Sequence, residues 1–314
     1  MIKNYVFYLK ENTSKKSILI VTLVTLGYLV GTALLLGLKT DKFIIAGVFN
    51  VLYYVSVTTR KFVLGFSVFV VFWIIFDSMK AFPNYKFNPV HVEQLYNTEK
   101  QLFGINVNGT LLTPNEYLQK HTKTFLDVLT GFFYLNWMPV PLLFAFYLFR
   151  KNKQEFIYFS LAFLFVNLLG FVVYYTYPAA PPWYVEEYGF TVHFNTPGNT
   201  AGLSRFDDYF GINLFRGMYA KSSNVFAAMP SLHSAYPTVV FYFGVKNKLG
   251  WINALFALLM AGIWFSAVYS NHHYILDVLA GIACALTGLF IFHKVLLKNA
   301  RFMNFVVKYK NVIS

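Results

Sequence analysis

Long apolar blocks separated by short polar gaps dominate the chain. Eight can be marked, at about residues 17–38, 43–58, 62–79, 124–148, 156–176, 231–245, 250–270 and 274–297. Roughly 20 apolar residues cross a bilayer as a helix, the form that satisfies its own backbone hydrogen bonds in lipid, and each block reaches or approaches that length. The second and sixth are the least secure in their boundaries because they are short. Two long polar connections, about 80–123 and 177–230, break the series. The pattern predicts an all-α, polytopic transmembrane bundle of about eight spans. Because the first block begins only after Lys15 and Lys16 and continues to Leu38, it is expected to be a span and not a cleavable signal peptide.

Composition strengthens this picture. Of the residues 57% are hydrophobic and 12% charged, where soluble domains carry roughly 25% charged. That excludes disorder and argues against a single soluble globule. The lone cysteine, Cys284, lies within the last block, so there is no intrachain disulfide and no multi-cysteine zinc site. A net charge of +13 would raise the question of nucleic acid in a soluble protein. Here the basic residues sit in the gaps between blocks and form no arginine-rich stripe, so they read as topogenic, with no nucleic-acid partner. With the N-terminus in the cytoplasm, the cytoplasmic segments hold 16 of the 26 Lys and Arg residues but only Glu11 and Glu155 of the acidic ones. Both termini are therefore expected to be cytoplasmic and both long connections outside. The beginnings of the sixth and eighth spans, near Ser231 and Tyr274, then share the outer face.

Candidate chemistry gathers at those two beginnings, since a charge at the bilayer centre costs ~2.5–3.5 kcal/mol or more and is seldom placed there without a role. The first stretch is AMPSLHS, Ala228 to Ser234. Pro230 suits a first helical turn, and the N–H groups after it form a ready anion site; alone, the stretch also reads as a capping Ser231 and a packed His233. The second is YSNHHYILD, Tyr269 to Asp277. His273 and Asp277, four apart on a helix, share a face, so the carboxylate can fix the imidazole tautomer and stabilise its cation, while His272 faces away. A polar helix end anchored at the interface is the alternative. A metal is not expected, because adjacent histidines on a helix diverge and no cysteine or carboxylate cluster completes a shell. The charge map, which used neither motif, brings both histidines and the aspartate to one face.

Four stretches in order, YPAAPPWY (177–184), AGLSRFDDYFGINLF (201–215), AAMPSLHSA (227–235) and NHHYILDVLAG (271–281), together resemble the type 2 phosphatidic acid phosphatase superfamily. Within it the match is closest to the inositol phosphorylceramide synthases. The resemblance implies a catalytic membrane domain over 124–314 with its outer loop at 177–230; residues 1–123 match nothing. It implies that His273 is the nucleophile at phosphorus, that Asp277 orients it, and that His233 is the acid for the leaving alkoxide. A phosphoinositol-type headgroup would pass from a phosphatidylinositol-like donor to a ceramide-like acceptor through a phosphohistidine, releasing diacylglycerol, with no metal, ATP or other cofactor. The substrate-binding residues would be Arg205, Ser231, Asp207, Lys221 and Tyr184.

The departures from the broader superfamily matter. Its phosphatases carry an Arg where this chain has Ala267, and a Lys and an Arg-Pro motif where it has the uncharged YPAAPPWY stretch. Fewer fixed cations suit a monoanionic diester better than a dianionic monoester. Arg205 would supply the remaining charge through a bidentate grip on phosphoryl oxygens; the alternative is an ion pair with Asp207 or Asp208. In YPAAPPWY the paired prolines are expected to bar helix, and Trp183 and Tyr184 to form a rim at the lipid interface. Asn108 lies in an outside NGT sequon. The site is expected on the periplasmic side of a bacterial inner membrane, or in the Golgi lumen of a eukaryote. The competing functions are a lipid phosphate or diphosphate phosphatase of the same superfamily and, outside enzymes, a transporter or scaffold.

Overall fold

All eight apolar blocks fold as helix in the computed structural model, which describes residues 14–220 and 224–314. The blocks correspond to α1 (Lys15–Leu36), α2 (Thr40–Val55), α3 (Val57–Ser78), a broken pair α6 (Thr124–Leu135) and α7 (Pro139–Lys151), α8 (Lys153–Thr176), α12 (Leu232–Lys246), α13 (Ile252–Tyr269) and α14 (Ile275–Lys294). Among the described residues six segments are long and apolar enough to cross a membrane: those built on α1, α3, α6 with α7, α8, α13 and α14. α2 and α12, at 16 and 15 residues, fall short. The fourth block breaks because Pro139 opens α7 at a position where its missing N–H has no partner to lose. That break holds Trp137, one turn beyond Tyr134, and both residues recur at the site.

The chain divides into two compact units, residues 14–82 with 301–314 and residues 83–300. The first contains α1 to α3 and the C-terminal helix α15 (Ala300–Ile313). Within it buried Lys42 pairs with Asp77 and with Asp41, and Asp77 also takes Lys80 at 3.0 Å. Tyr309 on α15 lies 2.9 and 2.7 Å from the carbonyls of Leu64 and Gly65.

The second unit carries the motifs. Its helical centre is α12, which packs against α7, α8, α13 and α14 through an aromatic interior that includes Phe159, Phe163, Tyr236 and Phe243. The first polar connection is ordered as α4 (Glu93–Phe103), a hairpin of β1 (Ile105–Val107) and β2 (Thr110–Leu112), and α5 (Pro114–Lys120). Asn108 and Gly109 turn the hairpin at φ 51° and 82°, as a two-residue turn with two positive φ values requires, so the sequon sits at its tip. The two compact units divide at 82/83. The physical reason is that α4 and α5 pack on α14 and α13 and are hydrogen-bonded to the turn that joins α13 to α14.

The second connection holds α9 (Pro182–Tyr188), α10 (Ser204–Phe210) and α11 (Leu214–Tyr219). Two expectations for YPAAPPWY are corrected. The paired prolines do not bar helix, because Pro182 occupies the first turn of α9. Trp183 and Tyr184 are not a lipid rim either. They are 5% and 0% exposed, packed with Phe226, Ala180 and Val92.

Candidate active site

The Tyr177–Tyr184 stretch is a backbone bracket. Ala179 runs parallel between His91 and Ala227 as an isolated bridge on each side, with Ala179 N donating to Phe226 O and Ala228 N donating to Ala179 O. Four residues later Trp183 N donates to the carbonyl of Asn271. One extended segment thus grips both histidine motifs through main-chain groups, which any side chain can supply and which a motif search does not register.

α12 begins two residues later than a Pro230 in the first turn predicts. Ser231 is its N-cap, Pro230 precedes it behind a cis Met229–Pro230 bond, and Leu232 opens the helix. Ser231 is fully buried; its N–H donates to the carbonyl of Asp277, and its hydroxyl accepts from Ser234 Oγ at 3.2 Å. This contact ties the start of α12 to the first turn of α14. Gly281 permits it: a Cβ there would stand 2.1 Å from the Ser231 carbonyl oxygen.

His273 lies just before α14, in the turn that follows α13, with Tyr274 as the N-cap of α14. The Ala267 carbonyl accepts from both His272 N and His273 N. The His273 imidazole has Nδ1 3.5 Å from Asp277 Oδ2 and Nε2 3.2 Å from His233 Nδ1. Asp277 is fully buried and its Oδ2 also accepts the Tyr274 N–H at 2.9 Å. The gap of 3.5 Å is longer than a made charge-assisted hydrogen bond, and His273 Nδ1 has no other side-chain partner. Burial pushes the His273 pKa down to about 4, opposed by the carbonyl of Ala228, so the ring is neutral at pH 7. With the Nδ1 proton directed at Asp277, the Nε2 lone pair faces His233.

The rest of the pocket is aromatic. Tyr134 hydroxyl lies 3.2 Å from His233 Nδ1 and accepts from Tyr219 hydroxyl at 3.2 Å. Trp137 meets the His233 ring edge-on, with centroids 4.7 Å apart. His272 makes no contact with Asp277, as expected, yet it belongs to the cluster: it stacks between Tyr219 and Tyr134 and its Nε2 lies 2.9 Å from Thr200 O. Burial holds its pKa well below the ordinary histidine value. Beside the turn, Pro114, Leu118, Trp264, Phe265, Val268, Ile275 and Val278 line an apolar groove of about 300 Å³.

The binding residues divide. Arg205 is held by Asp127 at 2.6 Å and Gln119 at 2.9 Å and set over the Tyr269 ring. Its Nη2 is buried without a partner, beside Gly202. The ion pair expected as its alternative is not formed, since Asp208 pairs with Arg216 and Asp207 caps α11 by accepting from Phe215 N and Arg216 N. Asp207 is fully buried in that cap, with each carboxylate oxygen accepting one backbone N–H. The Tyr184 hydroxyl donates to Thr191 O and accepts from His193 N. Lys221 lies outside the described residues. Sequence reasoning missed Tyr134, Trp137, Tyr219, Glu99 and Asn115. Only Asn115 carried a local signal, as part of the TPNE capping box that starts α5.

The family model of the PAP2 superfamily matches residues 94–291. A phosphoinositol dihydroceramide synthase of Bacteroides thetaiotaomicron is 47% identical over 302 residues, 96% of this chain and 99% of its own length. The inositol phosphorylceramide synthase catalytic subunit of Saccharomyces cerevisiae is 30% identical over 252 residues, covering 74% of this chain and 59% of its own. An inositol phosphorylceramide synthase of Candida albicans is 28% identical over 250 residues, 76% and 50% of the two chains. No solved structure matches.

Proposed function

The chain belongs to the PAP2 superfamily, and from that premise we propose that it transfers phosphoinositol from an inositol glycerophospholipid to the hydroxyl of a ceramide-type lipid by way of a phosphohistidine. It is an integral membrane phosphotransferase of sphingolipid synthesis. The observation that carries the mechanism is the 3.2 Å approach of His233 Nδ1 to His273 Nε2, between residues 40 positions apart at the starts of different helices.

In the first half-reaction the His273 Nε2 lone pair attacks phosphorus and the bond to the diacylglycerol oxygen breaks. His233 gives its proton to that oxygen, which leaves as a neutral alcohol. Asp277, 3.5 Å from Nδ1, supports the positive charge that develops on the ring. In the second half-reaction His233 takes the proton of the ceramide hydroxyl, whose oxygen attacks phosphorus, and the P–N bond breaks to restore neutral His273. One diester replaces another, so no external energy source is needed. Arg205 Nη2, the guanidinium nitrogen left without a partner after Asp127 and Gln119 are served, donates to a phosphoryl oxygen, and the N-terminus of α12 adds its dipole. The apolar groove beside the turn fits a hydrocarbon chain of a lipid substrate.

Both termini are placed in the cytoplasm and the site on the outer face, periplasmic in a bacterium and lumenal in a eukaryote. The distribution of basic residues supports this orientation. The test is the purified protein with phosphatidylinositol labelled in the inositol phosphate and a ceramide. We expect a labelled phosphosphingolipid and diacylglycerol from wild type, and none from His273→Ala. Ceramide-independent release of inositol phosphate would instead make it a hydrolase, and near-normal transfer by His273→Ala would remove the nucleophile.

A further inference from the structure

The catalytic turn is an interruption between two helices, so it inherits the unpaired groups of both: the last carbonyls of α13 and the first N–H groups of α14. Local backbone settles part of the account. Ser270 N donates to Ser266 O, His272 N and His273 N to Ala267 O, and Asn271 N to Val268 O. Side chains from the first outer connection supply the rest. Asn115 Nδ2 donates to Val268 O at 2.9 Å and to His273 O at 3.0 Å. Gln119 Nε2 donates to Tyr269 O at 2.7 Å. Glu99 accepts from Ile275 N at 2.9 Å with one carboxylate oxygen and from Leu276 N at 3.0 Å with the other.

We propose that Glu99, Asn115 and Gln119 are positioning residues of the transfer reaction, a clamp from the outer segment that holds the turn from Val268 to Leu276 and thereby sets the His273 imidazole against His233. This rests on the reading of His273 as nucleophile.

Glu99 is the informative member. Its residue is fully buried and its partners are two helix N–H groups. Burying a carboxylate is costly, and an exposed helix start is ordinarily capped by a local Ser, Thr or Asp. A buried carboxylate from an element 176 positions away instead fixes where that start lies. Two separate side chains, Asn115 and Glu99, grip the residues on either side of the Tyr274 cap. Gln119 also accepts from Arg205 Nη1, so the same clamp joins the turn to the cation. The titratable groups facing Glu99 are Asp277 and Tyr274, with Tyr96 and Glu116 around the Tyr274 phenol. Burial pushes the Glu99 pKa up to about 7, against the pull of the Leu276 and Ile275 N–H groups. Protonation removes one of its two acceptor oxygens and slackens the grip.

The test uses the full-length protein in micelles. Glu99→Gln leaves one acceptor oxygen for two N–H groups, and Asn115→Ala removes both of its donated bonds. Each should lower kcat, and the single-turnover rate of phosphohistidine formation, by about 10- to 100-fold, the scale of an ångström-level misplacement. KM for either lipid should stay within about twofold. The partial fall in wild-type kcat expected below pH 7 should vanish in Glu99→Gln. Glu93→Gln, exposed on the same helix, is the control and should match wild type. Wild-type kcat per phosphorylatable site with an unchanged pH profile in Glu99→Gln and Asn115→Ala, even at lower yield of folded protein, would overturn the clamp and leave a structural cap. A His273→Ala protein that still transfers would overturn the parent reading, and the clamp with it.

Discussion

Gly281 offers the sharpest test of the geometry, because its replacement by Ala adds one methyl group where two helices meet through backbone. The new Cβ would lie 2.1 Å from the Ser231 carbonyl oxygen and 3.0 Å from its carbon. Ordinary C···O contacts begin near ~3.3 Å, so α12 and α14 must separate by about 1.2 Å at the level of the site. No flexible side chain can absorb the change. The shift acts on the pair that must cooperate, since Ser231 precedes His233 on α12 and Gly281 lies one turn beyond Asp277 on α14. A displacement of about 1 Å can cost about 100-fold in rate, or about 2.7 kcal/mol. Helix propensity works the other way, because Ala is favoured over Gly by ~1 kcal/mol in a helix interior. We therefore expect Gly281→Ala to accumulate as folded protein with kcat reduced by about two orders of magnitude. The assay is steady-state transfer to a fluorescent ceramide, alongside a thermal scan. Gly288→Ala is the comparator. There the nearest atom is a Val166 methyl at 2.6 Å, a side-chain contact about two turns further along α14 from the histidines, so the loss of rate should be far smaller. A Gly281→Ala enzyme within twofold of wild type would refute the claim that this close approach sets the two histidines.

Two more outcomes follow from the site. Arg205→Lys keeps a charge near Asp127 but cannot serve Asp127, Gln119 and a phosphoryl oxygen at once; kcat/KM should fall about 10- to 100-fold, and an unchanged value would leave Arg205 a structural ion pair. The His273 pKa is lowered, so its neutral, nucleophilic form persists as pH falls and is lost only near pH 4; the pH profile of kcat in Glu99→Gln should show no acid-side loss between pH 7 and 5 and collapse toward 4, whereas an acid limb near the ordinary histidine value would contradict the burial argument.

The helices were legible because lipid imposes a crude rule: length and apolarity are enough, and even the short α2 and α12 stood out. The trio His233, His273 and Asp277 was legible because position relative to a helix start and a spacing of four residues are both local quantities. Arg205 was legible as a cation but not by its partners, since Asp127 and Gln119 lie 78 and 86 positions away and nothing local links them. Glu99 was invisible for the same reason. YPAAPPWY misled because a Trp-Tyr pair after prolines fits a membrane interface by composition. Its actual work, pairing with His91, Ala227 and Asn271, is done by peptide groups that carry no residue signature. Ser231 showed the opposite case: it was placed correctly at a helix start, but its hydroxyl makes no capping bond there and its N–H serves Asp277 instead.

The shortness of α12 has a physical outcome for the lipids. Fifteen residues rise only about 22 Å, some 8 Å less than a typical hydrocarbon layer. With Lys246 and its partner Glu155 at the cytoplasmic boundary, as proposed, His233 falls below the opposite headgroup plane, at the depth of glycerol esters and sphingoid hydroxyls. Donor and acceptor can then exchange the headgroup while their tails remain dissolved in the leaflet, so neither has to be extracted into water for the reaction to proceed.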